Sequence, residues 1–188
     1  MENKIFSIGY AGVKIQQFID VLKENKITIL IDVRSTPKSQ YFTDYNDAKL
    51  KDTLQANGIK YENWKTEFGA RQEDEKFFTD GIMDFEKFVQ SEQFMQGIKR
   101  LDELVRGGKK VCLMCAEIDP IGCHRGILIS RNICDVIHIV ARTNQVNYET
   151  HKELEARLVS LYNKQPSFFG DDLQNAYRKQ NQKIGYNK

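Results

Sequence analysis

The sequence predicts one α/β domain, a three-layer sandwich with a mostly parallel central sheet and helices on both faces. Three observations predict it. Apolar, β-branched runs alternate with helix-period segments along most of the chain, the order that βαβ units require. Two of these runs, ITILIDV at 27–33 and KKVCLMCA at 109–116, are almost continuously apolar, as a strand covered on both faces must be. Helical stretches lie between the runs, and a helical crossover is what joins parallel strands.

Each element has its own signal. Lys4 to Ile8 (KIFSI) is a short apolar run ending at Gly9, a first strand. Ile15, Phe18, Ile19 and Leu22 recur at helical spacing, so 14–25 is an amphipathic helix. After the 27–33 strand, the polar run RSTPKSQYFTDYN at 34–46 carries Pro37 and reads as a long loop. A helix over 47–57 stops at Gly58, and Ile59 to Trp64 forms a short strand. One long helix is expected over 84–106, ending at Gly107-Gly108. The strand at 109–116 leads through a loop into a helix beginning near Cys123. Val136 to Val140 (VIHIV) is a further strand, and Leu154, Leu158 and Leu161 place a last helix at 149–163. The domain is read as 1–165. Residues 166–188 form a polar tail, with Phe168 and Phe169 near its start, that packs on the domain or extends from it.

Composition narrows the function. The chain has 188 residues, 40% apolar and 29% charged, enough for one folded core. A net charge of +2 is no footprint of a dedicated nucleic-acid binder. No stretch reaches the roughly 18 apolar residues of a membrane span, and the N-terminus has no signal-peptide core. With cysteines at 112, 115, 123 and 134 only, the expectation is a cytoplasmic protein with reduced thiols.

In open parallel sheets, ligands bind beyond the carboxyl ends of the strands. Two polar constellations fall there. One is Asp32-Val33-Arg34-Ser35-Thr36-Pro37-Lys38-Ser39; the other is Cys115-Ala116-Glu117-Ile118-Asp119, running on to Cys123-His124-Arg125. Ser7 and Tyr10, at the end of the first strand, stand close enough in the pattern to join them. Cys112 and Cys115 spell C-x-x-C, but strand side chains alternate, so Cys112 faces away from Cys115 and is a small buried hydrophobe. Cys134 is read the same way. Cys115 and Cys123 are the candidate nucleophiles, with His124 as base and Glu117 and Asp32 as the acids of the cleft. Both acids have a second reading, as partners that hold arginines in place. Arg34 and Arg125, with Ser35, Ser39 and Tyr10, make a cradle for phosphate or carboxylate, helped by the helix start at Cys123. Adjacent residues seldom reach one ion, and a helix start splays their side chains, so no zinc or iron is expected. Arg125 follows Cys115 by ten residues and Cys123 by two, neither the spacing of a tyrosine-phosphatase loop. Phosphate-loop and dinucleotide fingerprints are missing. His138 reads as a satisfied buried histidine and His151 as exposed.

SIGY at 7–10, DVRSTPKS at 32–39, GIKY at 58–61 and C-x-E-x-D-P…CHR at 115–125 together resemble domain-of-unknown-function family 488. The resemblance spans about residues 4 to 155, and the motifs come in the family's order. Where a leucine and two glycines are expected after GIKY, this chain has Phe68-Gly69-Ala70. The resemblance implies a fold and a site, and no reaction.

These readings converge on an anion-binding cleft, as of a small enzyme acting on a phosphorylated or nucleotide-like substrate through Cys, His and Arg residues. A non-catalytic nucleotide or nucleic-acid binding module and a metal-binding Cys/His protein are the alternatives. A small anionic ligand is the expected partner, nucleic acid a second one through the interleaved aromatics and cations around Tyr41, Phe42 and Tyr61, and a membrane none. The sequence names no cofactor and sets no oligomeric state.

Overall fold

A computed structural model describes residues 4–162 and 171–188. In chain order the elements are β1 (Ile5–Gly9), α1 (Ile15–Glu24), β2 (Ile29–Asp32), α2 (Asp47–Ala56), β3 (Lys60–Asn63), α3 (Lys65–Phe68), β4 (Phe78–Thr79), β5 (Ile82–Met83), α4 (Phe85–Phe88), α5 (Glu92–Arg106), β6 (Val111–Cys115), β7 (Val136–Arg142), β8 (Gln145–Thr150), α6 (His151–Tyr162) and α7 (Asp172–Ile184). Six strands form one sheet in the order β3-β2-β6-β1-β7-β8. The first five are parallel, and β8 pairs antiparallel with β7. β4 and β5 make a separate hairpin. The expected parallel set of β1, β2 and β6 therefore lies in one sheet, with β6 between the other two.

Strand alternation sorts the core into two layers. Leu30, Cys112 and Met114 face α1 and α2, where they meet Phe18, Leu22, Leu50 and Leu54. Ile31, Leu113 and Cys115 face the other side, against Phe94 and Leu101 of α5, Leu154 and Leu158 of α6, and Ala176 and Tyr177 of α7. Cys112 is thus buried away from Cys115, as the period of two requires. No helix among the described residues is long and apolar enough to cross a membrane.

Several expectations need correction. The 84–106 stretch is two helices, because the Ser91 hydroxyl accepts from the Phe94 N–H and starts α5 afresh. Strand β7 runs on to Arg142 and turns through Thr143 and Asn144 into β8. The sequence reading missed β8, a mostly exposed edge strand whose polar residues hide the alternation. The expected helix near Cys123 is a single π-type turn, Arg125–Ile129, bracketed by short 3-10 turns. Cys134 is exposed rather than buried. The C-terminal segment is not merely polar. Ala176, Tyr177 and Gln180 recur one helical turn apart and bury α7 against the domain, where the Gln180 amide donates to the Ile121 carbonyl (2.7 Å). Phe168 and Phe169 lie outside the described residues.

His138 is buried and satisfied as expected, but His151 is also largely buried, in the same chain. The Ser7 hydroxyl lies 2.6 Å from His138 Nδ1, His138 Nε2 lies 3.0 Å from His151 Nδ1, and His151 Nε2 lies 2.9 Å from the Tyr177 hydroxyl. Tyr177 donates to Glu155 (2.9 Å). The chain closes with both imidazoles neutral and protonated at Nε2. Burial, then His151 and Arg125, push His138 down to about 3. A folded-state value below the unfolded one, about 6.5, means that stability is fully present above pH 6.5 and is lost as the pH falls towards 3. The stability of wild type should therefore fall by about 1.4 kcal/mol per pH unit below about pH 6 from this group alone. His138→Gln should remove that slope in urea titrations between about pH 6 and 5, above most carboxylate titration. Equal slopes in the two proteins would mean that His138 is not held neutral.

Candidate functional site

The carboxyl ends of β1, β2 and β6 lie side by side, since Gly9 is in register with Cys115 and Asp32 with Met114. A cleft of about 420 Å³ opens above them, within the range of small-ligand sites. Cys115, Glu117, Cys123 and His124 line one part of it. Tyr10, Arg34, Ser35, Thr36, Lys38 and Ser39 line another, and Ala70, Arg71, Ala116, Gly122, Ile184 and Tyr186 complete the wall.

The thiol side is built by a break in the chain. Cys115 is the last residue of β6. Cys123 is extended (φ −139°, ψ 141°) and His124 is helical (φ −59°, ψ −24°). This switch between neighbours turns both side chains to the same place, where two helical residues would splay. His124 Nε2 donates to the Val33 carbonyl (3.0 Å), so Nδ1 points inward. It lies 3.8 Å from Cys115 Sγ and 3.8 Å from Cys123 Sγ. The three ligand atoms all fall within 4.8 Å of one another. The geometric ground for expecting no metal, that Cys123 and His124 diverge, is therefore not met. Cys115 Sγ also donates to Glu117 Oε2 (3.0 Å), and the Arg125 backbone N–H points at Cys123 Sγ (3.4 Å).

The electrostatics divide these groups. Burial raises the Cys123 thiol, but the hydrogen bond from Cys115, buried Arg125 and His124 outweigh it and hold Cys123 well below the ordinary thiol range. Cys115 is raised well above that range by the hydrogen bond to Cys123, by burial and by the nearby charges of Cys123 and Glu117. Burial would lower His124, yet the Cys123 thiolate beside it leaves it raised. Burial, then Cys123, raises Glu117. The result is a Cys123 thiol shifted down and a His124 imidazole shifted up side by side, with Cys115 and Glu117 both shifted up.

The cationic side centres on Arg34, which is 5% exposed. Its Nε and Nη2 grip the Asp32 carboxylate (2.9 and 2.6 Å), and Nη2 also donates to the Tyr45 carbonyl (2.8 Å). The guanidinium lies 5.0 Å from the Tyr10 ring, itself stacked on Tyr45 at 4.3 Å. Nη1 is buried with no hydrogen-bond partner among the described residues. Ser35 Oγ accepts from the Arg71 N–H (2.9 Å), and Ser39 Oγ accepts from Tyr41 and Phe42 (3.2 and 3.1 Å). The two serines therefore shape the loop and keep their hydroxyl protons to give. Gly69 fits here because a Cβ would lie 2.3 Å from the Lys65 carbonyl oxygen and 2.8 Å from Ser35 Oγ.

Two expected site residues are elsewhere. Asp32 is fully buried under Arg34 and Tyr61, whose hydroxyl donates to it (2.7 Å), so it orients the guanidinium and does not reach the cleft. Arg125 is also fully buried. Its Nη1 and Nη2 donate to the Glu117 and Ile118 carbonyls (2.5 and 2.9 Å), pinning the loop from beneath rather than meeting a ligand. Asp119 pairs with Arg157 (2.9 Å), not with Arg125. The short turn after Cys123 also has few free donors, because the Gly126 and Ile127 N–H groups already bond to the Cys123 carbonyl. Sequence reasoning counted Arg71 only among the cations interleaved with aromatics, and missed Ile184 and Tyr186. The apolar spacing of Ala176, Tyr177 and Ile184 was a signal for the helix that delivers the last two; Arg71 rests over the Tyr186 ring at 5.2 Å.

Searches of curated proteins and of solved structures returned no match. A family model described as "Domain of unknown function DUF488" matches residues 14–131, a span that holds β2, β6 and every cleft-lining thiol, acid and imidazole. With that match over well more than half its length, the chain belongs to the DUF488 family.

Proposed function

We propose that this protein is an enzyme acting on a small phosphorylated or nucleotide-like anion, which Arg34 and the Ser35–Ser39 loop hold against the Cys115–Cys123–His124 cluster. The observation that carries the reading is Arg34, a cleft-lining residue whose Nη1 is a buried cationic donor with no hydrogen-bond partner among the described residues. A buried unpaired donor costs about 1–3 kcal/mol, and more when it is charged, and an anionic ligand would recover that cost. Lys38 and Arg71 add positive charge at the same cleft. Glu117, the one lining acid among the described residues, is raised by burial, which disfavours its charged form, so the field there favours anions. The reactive groups beside the cationic wall favour an enzyme over a module that only binds.

Thermal shift across inorganic phosphate, pyrophosphate and nucleoside monophosphates tests the reading. Wild type should gain several degrees with at least one of them. Arg34→Lys, which keeps the charge but loses the planar fork, should lose most of that gain, and Arg71→Ala should lose part of it. If no anion stabilises wild type, or if Arg34→Lys responds in full, the cleft is not an anion site. A stabilising nucleotide that stays intact over long incubation, with no phosphate released, would favour the non-catalytic module.

A further inference from the structure

We propose that Cys115, Cys123 and His124 form a mononuclear centre for a divalent transition ion of zinc's ligand class, with its fourth position open to the cleft. This deepens the enzyme reading above and rests on it only for the purpose of the ion, not for its binding.

The donor geometry carries the proposal. A tetrahedral ion with metal–sulfur bonds of about 2.3 Å and a metal–nitrogen bond of about 2.0–2.1 Å needs donor-to-donor edges of roughly 3.6–3.8 Å. Both Sγ-to-Nδ1 distances are 3.8 Å, and no pair of the three donors is more than 4.8 Å apart. The imidazole is also oriented as a ligand is. Its Nε2–H is spent on the Val33 carbonyl at 3.0 Å, which fixes the tautomer and leaves the Nδ1 lone pair facing both sulfurs, the outer-shell arrangement usual for metal-bound histidine. Three protein ligands of this type plus one open position is the pattern of a catalytic rather than a structural site. Residues that do not ligate already hold the ligands in place. Arg125 pins the Glu117–Ile118 carbonyls, and the Arg125 N–H points at Cys123 Sγ. Glu117 lines the cleft within hydrogen-bond reach of Cys115 Sγ, so a carboxyl group stands beside the cluster.

A dithiol that merely cycles to a disulfide is the competing use of the same cysteines. It would explain two nearby sulfurs, but not an imidazole lone pair aimed at both of them.

The test uses the full chain, purified under reducing conditions without chelator. Elemental analysis should find close to one zinc or iron per chain. Metal-free protein titrated with Co²⁺ should develop thiolate-to-cobalt absorption and the visible bands of a tetrahedral site, saturating at one equivalent. Cys123→Ser and Cys115→Ser should weaken cobalt binding by more than roughly tenfold. Cys112→Ser and Cys134→Ser should leave it unchanged, because Cys112 faces the opposite core layer and Cys134 lies on the surface. Far-ultraviolet circular dichroism checks that each variant is folded. No saturable cobalt spectrum in wild type would overturn the proposal, as would an equal loss in Cys112→Ser, or metal-free protein whose Cys115 and Cys123 are isolated as a disulfide and still bind no metal after reduction. The two readings fail separately: Arg34→Lys should keep the cobalt spectrum while losing the anion response. A cobalt spectrum with no anion response in wild type would sink the anion reading alone, and an anion response with no cobalt spectrum would sink the metal site alone.

Discussion

Arg34→Met should cost about 3–5 kcal/mol of stability, the largest loss expected at any charged residue of the site. The reason is the charge it leaves behind. Asp32 has no exposed surface, and Arg34 holds it with Nε 2.9 Å from Oδ1 and Nη2 2.6 Å from Oδ2. Methionine fills much of the same volume but supplies no donor. The carboxylate would then keep only the Tyr61 hydroxyl and the backbone N–H of residue 34. Breaking a buried pair from one side costs far more than replacing both members, since only the former strands a charge. Asp32→Asn combined with Arg34→Met should therefore recover more than half of the loss, and urea denaturation midpoints of the two variants measure it. A single variant within about 1 kcal/mol of wild type would show that water reaches Asp32 and that Arg34 is free for a ligand at no structural cost.

The second large effect is expected at Gly9. A Cβ built there lies 1.8 Å from the Glu117 carbonyl oxygen and 2.6 Å from its carbon. Both are backbone atoms, and Arg125 pins that carbonyl from the other side (2.5 Å), so the neighbour cannot swing away as a flexible side chain would. Gly9→Ala should cost about 3 kcal/mol or more, at or beyond the upper end of ordinary overpacking. It should also push the 117–118 segment off the end of β1, moving Glu117 away from Cys115, so that the anion response and the cobalt spectrum weaken together. Gly122→Ala is the control. Its Cβ would meet nothing within 4 Å, so its stability should stay within about 0.5 kcal/mol of wild type. Equal effects at the two glycines would mean that the close approach of β1 to the 117–118 backbone does not matter.

These two sites mark the line between what sequence and tertiary structure decide. The parallel core of β1, β2 and β6 is legible in the chain because the hydrophobic effect writes itself locally. A strand buried on both faces must be apolar at every position, as ITILIDV and KKVCLMC are. Period-two alternation separates Cys112 from Cys115 before any packing is known. The place of the cleft follows from the same pattern, since polar motifs directly after buried strands must gather at one edge of the sheet. The helical period of α7 was also present in the sequence, diluted by its polar face, and β8 left almost no trace because an exposed edge strand buries so little.

The division of labour among the site residues was not legible, because it depends on depth and on backbone dihedrals, which no local pattern encodes. Arg34 and Arg125 read alike in sequence. In the fold one guanidinium lines the cleft on Asp32, and the other is buried beneath it on two carbonyls, each keeping one nitrogen without a partner among the described residues. Asp32 reads as a cleft acid until the sheet buries it under Arg34 and Tyr61. The adjacent pair Cys123-His124 reads as divergent if a helix begins there. One extended residue before one helical residue makes the pair converge on Cys115 instead. By itself, then, the sequence determined which residues stand at the carboxyl edge of the sheet, because burial periodicity is a local property. Only the tertiary structure decided which of them face the cleft and which hold it in shape, because that choice is made by long-range contacts between segments far apart in the chain, as between Val33 and His124 or between Gly9 and Glu117.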